Sequence, residues 1–375
     1  MLARTFGCAR YVYNWALRLR TDAYYLRHER VSYAATSATL TTLKQQSKTT
    51  WLNEVSSVPT QQALRHLDRA FRNFFEGRGK HPKFHKKHGV QSAEYTTSAF
   101  RYDAAARTLT LARMTTPLHI HCLRPLPAGA VPTTVTVSRD TAGRNFASIL
   151  IEDEIAVLLP TTAQIDIDLG LHDVVVLDNG EKVGNPRFFA QDEKKLATAQ
   201  HRLAKKQRGS RNREKARRKV ARIHARIADR RTDFLHKRST RIIRENQTMC
   251  IESLQVKAMG KHPTLAKALH EVGWGAFVRM LEYKAAWYGR TLVSSDTWYP
   301  SSNRGSACGH VLDSLTIDIR HWTCPECGSV HDRDVNAAQN ILAAGLAVAA
   351  CGEAVRPGRV RPTTAGFREA GIPRL

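Results

Sequence analysis

Cys308, Cys324 and Cys327 fall within a stretch of 20 residues, the last two as Cys-Pro-Glu-Cys-Gly. A Cys-x-x-Cys pair turns two thiolates toward one point, the chemistry of a zinc knuckle rather than of a disulfide scaffold. A tetrahedral site needs a fourth ligand, and His310 and His321 each lie close in sequence to a cysteine. The remaining cysteines, Cys8, Cys122, Cys250 and Cys351, are scattered and read as reduced, small apolar residues. Carboxylates offer a second chemistry. Asp168 and Glu252 each interrupt a hydrophobic strand-like run, Ile165-Asp-Ile-Asp-Leu-Gly and Met249-Cys-Ile-Glu-Ser-Leu, and Asp334 opens a helical one. A carboxylate placed in such a run is costly unless it is paired or bound to metal. Three of them converging on a sheet edge supply hard oxygen ligands for two Mg²⁺ ions. Two such ions, about 4 Å apart, can activate water, steady a leaving oxygen and clamp a scissile phosphate. The chemistry is phosphodiester hydrolysis. Asp166 competes with Asp168, being on the same strand face, and Asp332 competes with Asp334; spacing settles neither choice.

These residues need elements to hold them. Residues 2 to about 77 read as helical, with Phe6, Tyr13, Leu17 and Tyr24, then Leu64, Leu67, Phe71 and Phe74, recurring as core-facing positions. A basic loop from Arg78 to His88 follows, with Phe84 in its middle, a mixture that suits single-stranded nucleic acid. From Ser92 to Glu154 the pattern becomes short alternating runs (Thr108-Leu-Thr-Leu-Ala, Val135-Thr-Val, Phe146-Ala-Ser-Ile-Leu-Ile) broken by turn-formers at Asp140 to Gly143. That predicts a small β domain, barrel or sandwich. A second α/β domain starts at Gln164: strand, hairpin over Asp178-Asn-Gly, helices broken near Gly209-Ser210, strand, helix from Trp274 to Tyr288, strand, cysteine segment and last helix.

The chain has 375 residues and a formal net charge of +25, so it is long enough for two or three domains and expects a polyanionic partner. Lys194 to Arg244 holds 20 Lys and Arg against three Asp and Glu, a net of +17 in 51 residues. A block this lopsided repels itself without counter-charge, so phosphate contact is expected along Lys205, Lys206, Arg208, Arg211, Arg213, Arg217, Arg218, Lys219 and Arg222. No apolar stretch is long enough to span a bilayer and the opening residues lack a signal-peptide core, which predicts a cytoplasmic protein with no membrane partner.

Longer motifs make the reading specific. Phe6-Gly-Cys-Ala-Arg-Tyr-Val-Tyr-Asn-Trp, Asp168-Leu-Gly-Leu with Asn185-Pro-Arg-Phe-Phe, Ile251-Glu-Ser-Leu with Val256-Lys, Trp298-Tyr-Pro-Ser-Ser, and Trp322-Thr-Cys-Pro-Glu-Cys-Gly followed by His331-Asp-Arg-Asp-Val-Asn-Ala-Ala resemble the TnpB (OrfB) proteins of bacterial insertion sequences, relatives of type V CRISPR effectors. The resemblance runs from the first residues to about residue 350. It implies an α+β multidomain fold: a helical recognition lobe (1–90) set into a small β-barrel (91–160), then a RuvC-like (RNase H-like) nuclease domain (161–303) with basic helices over 192–246. A zinc-ribbon-like insert (304–331), the last nuclease helix (332–350) and a flexible tail (351–375) complete it. It also implies the activity: Mg²⁺-dependent cutting of double-stranded DNA beside a short motif, directed by a transposon-derived guide RNA. Carried over by position, the catalytic, Mg²⁺-holding carboxylates are Asp168, Glu252 and Asp334, the last being the Asp of the Asp-Val-Asn-Ala-Ala run. Nothing in the chain offers a nucleophile for strand transfer.

Two departures from the family stand out. The family opens with a strand before the Phe-Gly-Cys motif, whereas this chain starts almost at it, so either its start has been placed late or the barrel lacks its first strand. In the insert, the family carries two Cys-x-x-Cys pairs. Here Gly305 stands where the first cysteine belongs, behind Asn303 and Arg304, and leaves Cys308 alone for His310 or His321 to complement. Asp166 replaces a usual glycine and Ser253 a usual acid. These departures admit two other outcomes, RNA-guided DNA binding without cleavage or a decayed, inactive copy.

Overall fold

The computed structural model describes residues 1–121, 125–127, 129–252, 259–261, 266–294, 301–316 and 319–350, with side chains to 343. Cys122, Ser253, most of the motifs at 251–257 and 298–302, and the tail with Cys351 lie outside the described residues. The described chain forms two compact units, the first built from residues 1–153 with 206–222, the second from 154–205 with the described residues of 223–350.

In the first unit, α1 (Leu2–Arg27), α2 (Tyr33–Gln45) and α3 (Ser57–Phe75) form a helical bundle. Serines start two of these helices by accepting a backbone N–H: Ser32 from Ala35 at 3.1 Å and Ser56 from Val58 at 3.3 Å. Val12, Ala16 and Leu17 of α1 meet Leu40 and Leu43 of α2 and Leu64, Leu67 and Phe71 of α3 in one core. Tyr24 departs from the expected stripe: it lies near the C-terminal end of α1, beside buried Ala23, and is itself exposed. Strands β1 (Gln91–Thr96), β2 (Phe100–Asp103), β3 (Thr108–Leu111), β4 (Leu118–His119), β5 (Thr134–Arg139) and β6 (Asn145–Leu150) follow. They make two antiparallel three-stranded sheets, β1-β5-β6 and β2-β3-β4, and among the described residues no closed barrel. Tyr95, Leu109, Leu111, Val135 and Val137 from both sheets share one core with Phe6 of α1, so the helix covers what barrel closure would otherwise seal.

The second unit is built on a five-stranded sheet ordered β11-β10-β7-β8-β9, from β7 (Gln164–Asp168), β8 (Asp173–Leu177), β9 (Lys182–Gly184), β10 (Thr248–Ile251) and β11 (Thr291–Ser294). Strands β7 to β9 are antiparallel neighbours, while β10 runs parallel to both β7 and β11. Helices α4 (Phe188–Ala204) and α5 (Arg211–Glu245) separate the two halves of the sheet, with the break over Gly209-Ser210 where expected. Ser210 Oγ then accepts from Arg213 N at 3.1 Å at the head of α5. Helices α6 (Ala266–Val272) and α7 (Trp274–Tyr288) complete a core in which Leu269, Phe277 and Leu281 join Ile167, Val175 and Met249. A two-stranded ribbon, β12 (His321–Thr323) with β13 (Val330–Asp332), leads into α8 (Arg333–Ala350), which packs on β7 and β10. No described helix is long and apolar enough to cross a membrane.

Candidate active site and metal-binding cysteines

Parallel pairing places the first two carboxylates side by side. Ile167 of β7 is in register with Ile251 of β10, so Asp168 and Glu252 are the next residues along two adjacent strands. Functional groups collect at the carboxyl ends of strands in such sheets because the chain there leaves the ladder. Gly170 keeps the turn after Asp168 tight: a Cβ there would lie 2.5 Å from the backbone oxygen of Asp173, so any side chain would force β7 and β8 apart. Asp334 joins from the first turn of α8. Burial, then the charges of Glu252 and Asp334, push the Asp168 carboxyl up to about 7. Burial raises Glu252 as well.

The structure separates the two competing pairs. Asp332 caps α8: its Oδ1 accepts from the backbone N–H of Asp334 and of Val335, each at 3.1 Å. Its other oxygen takes the Lys182 ammonium at 2.6 Å. Burial acts upward on this carboxyl, but the Lys182 and backbone hydrogen bonds outweigh it and hold Asp332 below the usual range. The Asp334 carboxylate accepts from Arg320 of the insert at 3.0 Å, its one side-chain partner among the described residues. Asp166 is wholly buried and neither carboxylate oxygen has a hydrogen-bond partner among the described residues. Burial, then Asp168 and Asp178, push it up to about 9. Its cross-strand neighbour Cys250 is driven to about 12 by burial and by Asp166.

Cys308, Cys324 and Cys327 are gathered as expected, with ligand atoms all within 4.8 Å of one another and no other such group among the described residues. Asp168, Glu252 and Asp334 share a charge field but are not gathered at that spacing. Around the thiols, Gly328 N donates to Cys324 O and Cys324 N to Ser329 O, both at 2.9 Å, which folds the second knuckle. Ser329, through its hydroxyl and backbone N–H, brings the Cys327 thiol down to about 7, favouring the thiolate that metals require. Neither His310 nor His321 joins the cluster at that spacing. His321 is exposed on β12, and His310 uses its backbone oxygen to accept from Gly305 N at 2.7 Å.

Sequence reasoning missed Asn336 and Asn340, both buried on α8. Their side-chain amides donate to Arg304 O at 2.7 and 2.6 Å, and Asn336 Oδ1 accepts from Ser306 N at 2.8 Å, so the cysteine insert is pinned to the helix that carries Asp334. The signal was present, as polar residues one helical turn apart in an otherwise apolar run.

A protein of Streptomyces pristinaespiralis described as "Putative RNA-guided DNA endonuclease" is 53% identical over 383 residues, covering 100% of this chain and 94% of its own. The chain belongs to the TnpB (OrfB) family. A second member, InsQ of Escherichia coli K12, carries the same description and is 30% identical over 96% of this chain and 92% of its own length. The family model described as "Probable transposase" matches residues 135–262, and the "Cas12f1-like, TNB domain" model matches 274–341, the stretch that holds the three cysteines. A "Helix-turn-helix domain" model matches residues 1–29, of which Leu2–Arg27 here form one continuous helix, α1. Among solved structures, the cryo-EM structure of a Cas12f1-sgRNA-target DNA complex shares the fold, with a TM-score of 0.55 at 13% identity over 91% of this chain and 81% of that one.

The basic residues of this TnpB-family chain divide by environment. Lys205, Lys206, Arg208, Arg211, Arg218, Lys219 and Arg222 are exposed, whereas Arg213 and Arg217 are half-buried. Arg213 donates to Lys206 O at 2.7 Å, and Arg217 donates to Glu214 at 2.6 Å and to His88 O at 3.1 Å. Within the first unit a cavity of about 570 Å³ opens among the 87–89 loop, the β5–β6 turn and the head of α5, with Lys87, Arg139, Arg211 and Arg218 on its wall. In the basic loop, His85 stacks on Tyr13 with ring centroids 3.9 Å apart, and Phe84 stays exposed.

Proposed function

We propose that this chain is a transposon-encoded, RNA-guided, Mg²⁺-dependent endonuclease that cuts double-stranded DNA next to a short adjacent motif. The observation that carries the reading is the placement of Asp168 and Glu252 at matched ends of parallel strands, with Asp334 sharing their field from the capped start of α8. Buried acids that raise one another's proton affinity fit divalent cations, which would offset the repulsion. Asp168, Glu252 and Asp334 would hold two Mg²⁺ ions, which supply an activated water and charge stabilisation for phosphodiester hydrolysis. The chain's own part is to fix these carboxylates: the β7–β10 register sets two of them, and the Asp332 cap with the Asn336 and Asn340 anchors sets the helix bearing the third. Arg320 holds Asp334 and would have to release it to a cation there. Zinc on Cys308, Cys324 and Cys327 would close the insert. The guide RNA and target strand would follow the basic helices, where the charge is densest.

The test is reconstitution: chain expressed with its flanking transposon DNA, co-purified RNA sequenced, and plasmids bearing the RNA-complementary target cleaved with Mg²⁺. Cleavage that is independent of RNA complementarity, or absent with bound RNA and matched target, overturns this reading.

A second measurement concerns the basic surface. Each phosphate contact contributes about 0.7 to 0.9 to the slope of log affinity against log salt. Neutralising Lys219 and Arg222, which are exposed and face solvent from α5, is expected to flatten the slope of RNA binding by roughly one to two units. Arg217→Gln is expected instead to loosen the 78–88 loop, because that guanidinium is spent on Glu214 and His88. An unchanged slope in Lys219→Gln/Arg222→Gln would mean that this face of α5 only meets solvent.

A further inference from the structure

The insert lacks one ligand, and the structure shows what faces the gap. Gly305 stands where the family's first cysteine would be and has an ordinary backbone conformation. A Cβ built on it would lie 3.6 Å from Cys308 Sγ, 3.6 Å from the Trp322 ring and 3.5 Å from Nε2 of His331. The space of the missing side chain thus opens on the thiolates from one side and on an imidazole nitrogen from another.

His331 is 7% exposed, and its Nε2 is buried with no hydrogen-bond partner among the described residues. Buried ring nitrogens are ordinarily satisfied, and one left unpaired calls for a cause. Its ring is held by Trp322, its cross-strand partner on the β12–β13 ribbon, with centroids 4.6 Å apart. Its partner Trp322 stands two residues before Cys324, and His331 itself stands one residue before Asp332, the cap of α8.

We propose that His331 Nε2 is the fourth zinc ligand, giving a Cys₃His site in which a histidine from the ribbon replaces the cysteine lost at position 305. The three thiolates and one imidazole make a closed tetrahedral set of the structural kind. Nε2 stands outside the spacing that the three sulfurs share, and the space over Gly305, where no side chain intervenes, is the way by which it closes on them. The inference rests on the reading that the insert binds zinc. It also explains how the lost cysteine is tolerated: the compensating ligand comes from the strand that leads straight into Asp332 and Asp334, so metal binding would tether the start of α8.

The experiment is zinc X-ray absorption on the full-length protein, with metal content measured alongside. Wild type is expected to hold one zinc with three sulfurs at about 2.3 Å and one imidazole nitrogen at about 2.0 to 2.1 Å. His331→Gln is expected to lose the imidazole scattering and to release zinc to a chelator at least about 10-fold faster, since even residues that only orient a ligand cost that much. His310→Gln and His321→Gln are expected to match wild type. Gly305→Cys, whose new Cβ would make only ordinary contacts, is expected to keep zinc and convert the shell to four sulfurs. Imidazole scattering that survives His331→Gln, or that vanishes with His310→Gln or His321→Gln, overturns the proposal. So does a wild-type shell without nitrogen, a result that needs no variant to fold. Zinc bound by Gly305→Cys but not by wild type would refute His331 while sustaining a zinc insert. Zinc in neither would refute the insert's metal role itself.

Discussion

Asp334→Ala is expected to abolish cleavage of a target plasmid, by at least about 100-fold, while leaving the melting temperature and RNA binding near wild type. The bound is conservative, because even losing a residue that merely orients a metal ligand costs about 10- to 100-fold. Asp332→Ala is expected to show the reverse pattern. It removes the cap of α8, whose Oδ1 serves two backbone N–H groups, and such losses cost about 1 kcal/mol of stability. Cleavage should persist below the lowered melting point, and Asp332→Asn, which can still cap, should recover much of the loss. A dead but normally stable Asp332→Ala beside an active Asp334→Ala would exchange the two assignments.

The second large effect is on stability against pH, measured by thermal unfolding in EDTA. Asp166 has its proton affinity raised from 3.8 to about 9 by burial and by its acidic neighbours. Between those values the folded chain keeps a proton that the unfolded chain releases. Its contribution is therefore fully present below the unfolded value and is lost as pH rises toward the folded one, at up to about 1.4 kcal/mol per pH unit. Asp168 acts in the same direction over the narrower span from 3.8 to about 7. Wild type should lose melting temperature steadily from about pH 5 to pH 8, and Asp166→Asn should flatten most of that fall and melt higher at neutral pH. Added Mg²⁺ should reduce the difference, by offsetting the same repulsion. Equal slopes in wild type and Asp166→Asn would mean that this carboxyl is solvated in the folded protein.

Much of the chemistry was legible before any fold. Cys308, Cys324 and Cys327 declare themselves by spacing, since a knuckle is a local structure that needs only a tight turn. Asp168 and Glu252 stand out because an acid within an apolar strand has no cheap structural excuse. The break at Gly209-Ser210, the hairpins and the limits of α7 followed from turn chemistry, which acts over a few residues. The runs of short strands, by contrast, left barrel and sandwich open, because alternation records which face is buried and not how far a sheet closes. Two open three-stranded sheets sharing a core with α1 are a packing outcome, decided by Phe6 and its partners across the chain.

The choices between neighbours needed three dimensions as well. Asp332 and Asp334 are equal in sequence, and only the direction of one side chain, turned back to the N–H groups of its own helix, makes the first a cap. Asp166 and Asp168 share a strand face, yet the strand ends at the second, so one lies sealed with no partner among the described residues while the other lies in the charge field of Glu252 and Asp334. His310 and His321 were nominated because they are near cysteines along the chain. His331, outside the window that sequence proximity drew, faces the gap at Gly305 because antiparallel pairing brings it across from Trp322. The sequence by itself determined which atoms this protein can offer to a metal or a phosphate, since that depends on residue type and local spacing. Only the tertiary structure decided which of them meet, because strand register and helix direction bring together residues that the chain holds far apart.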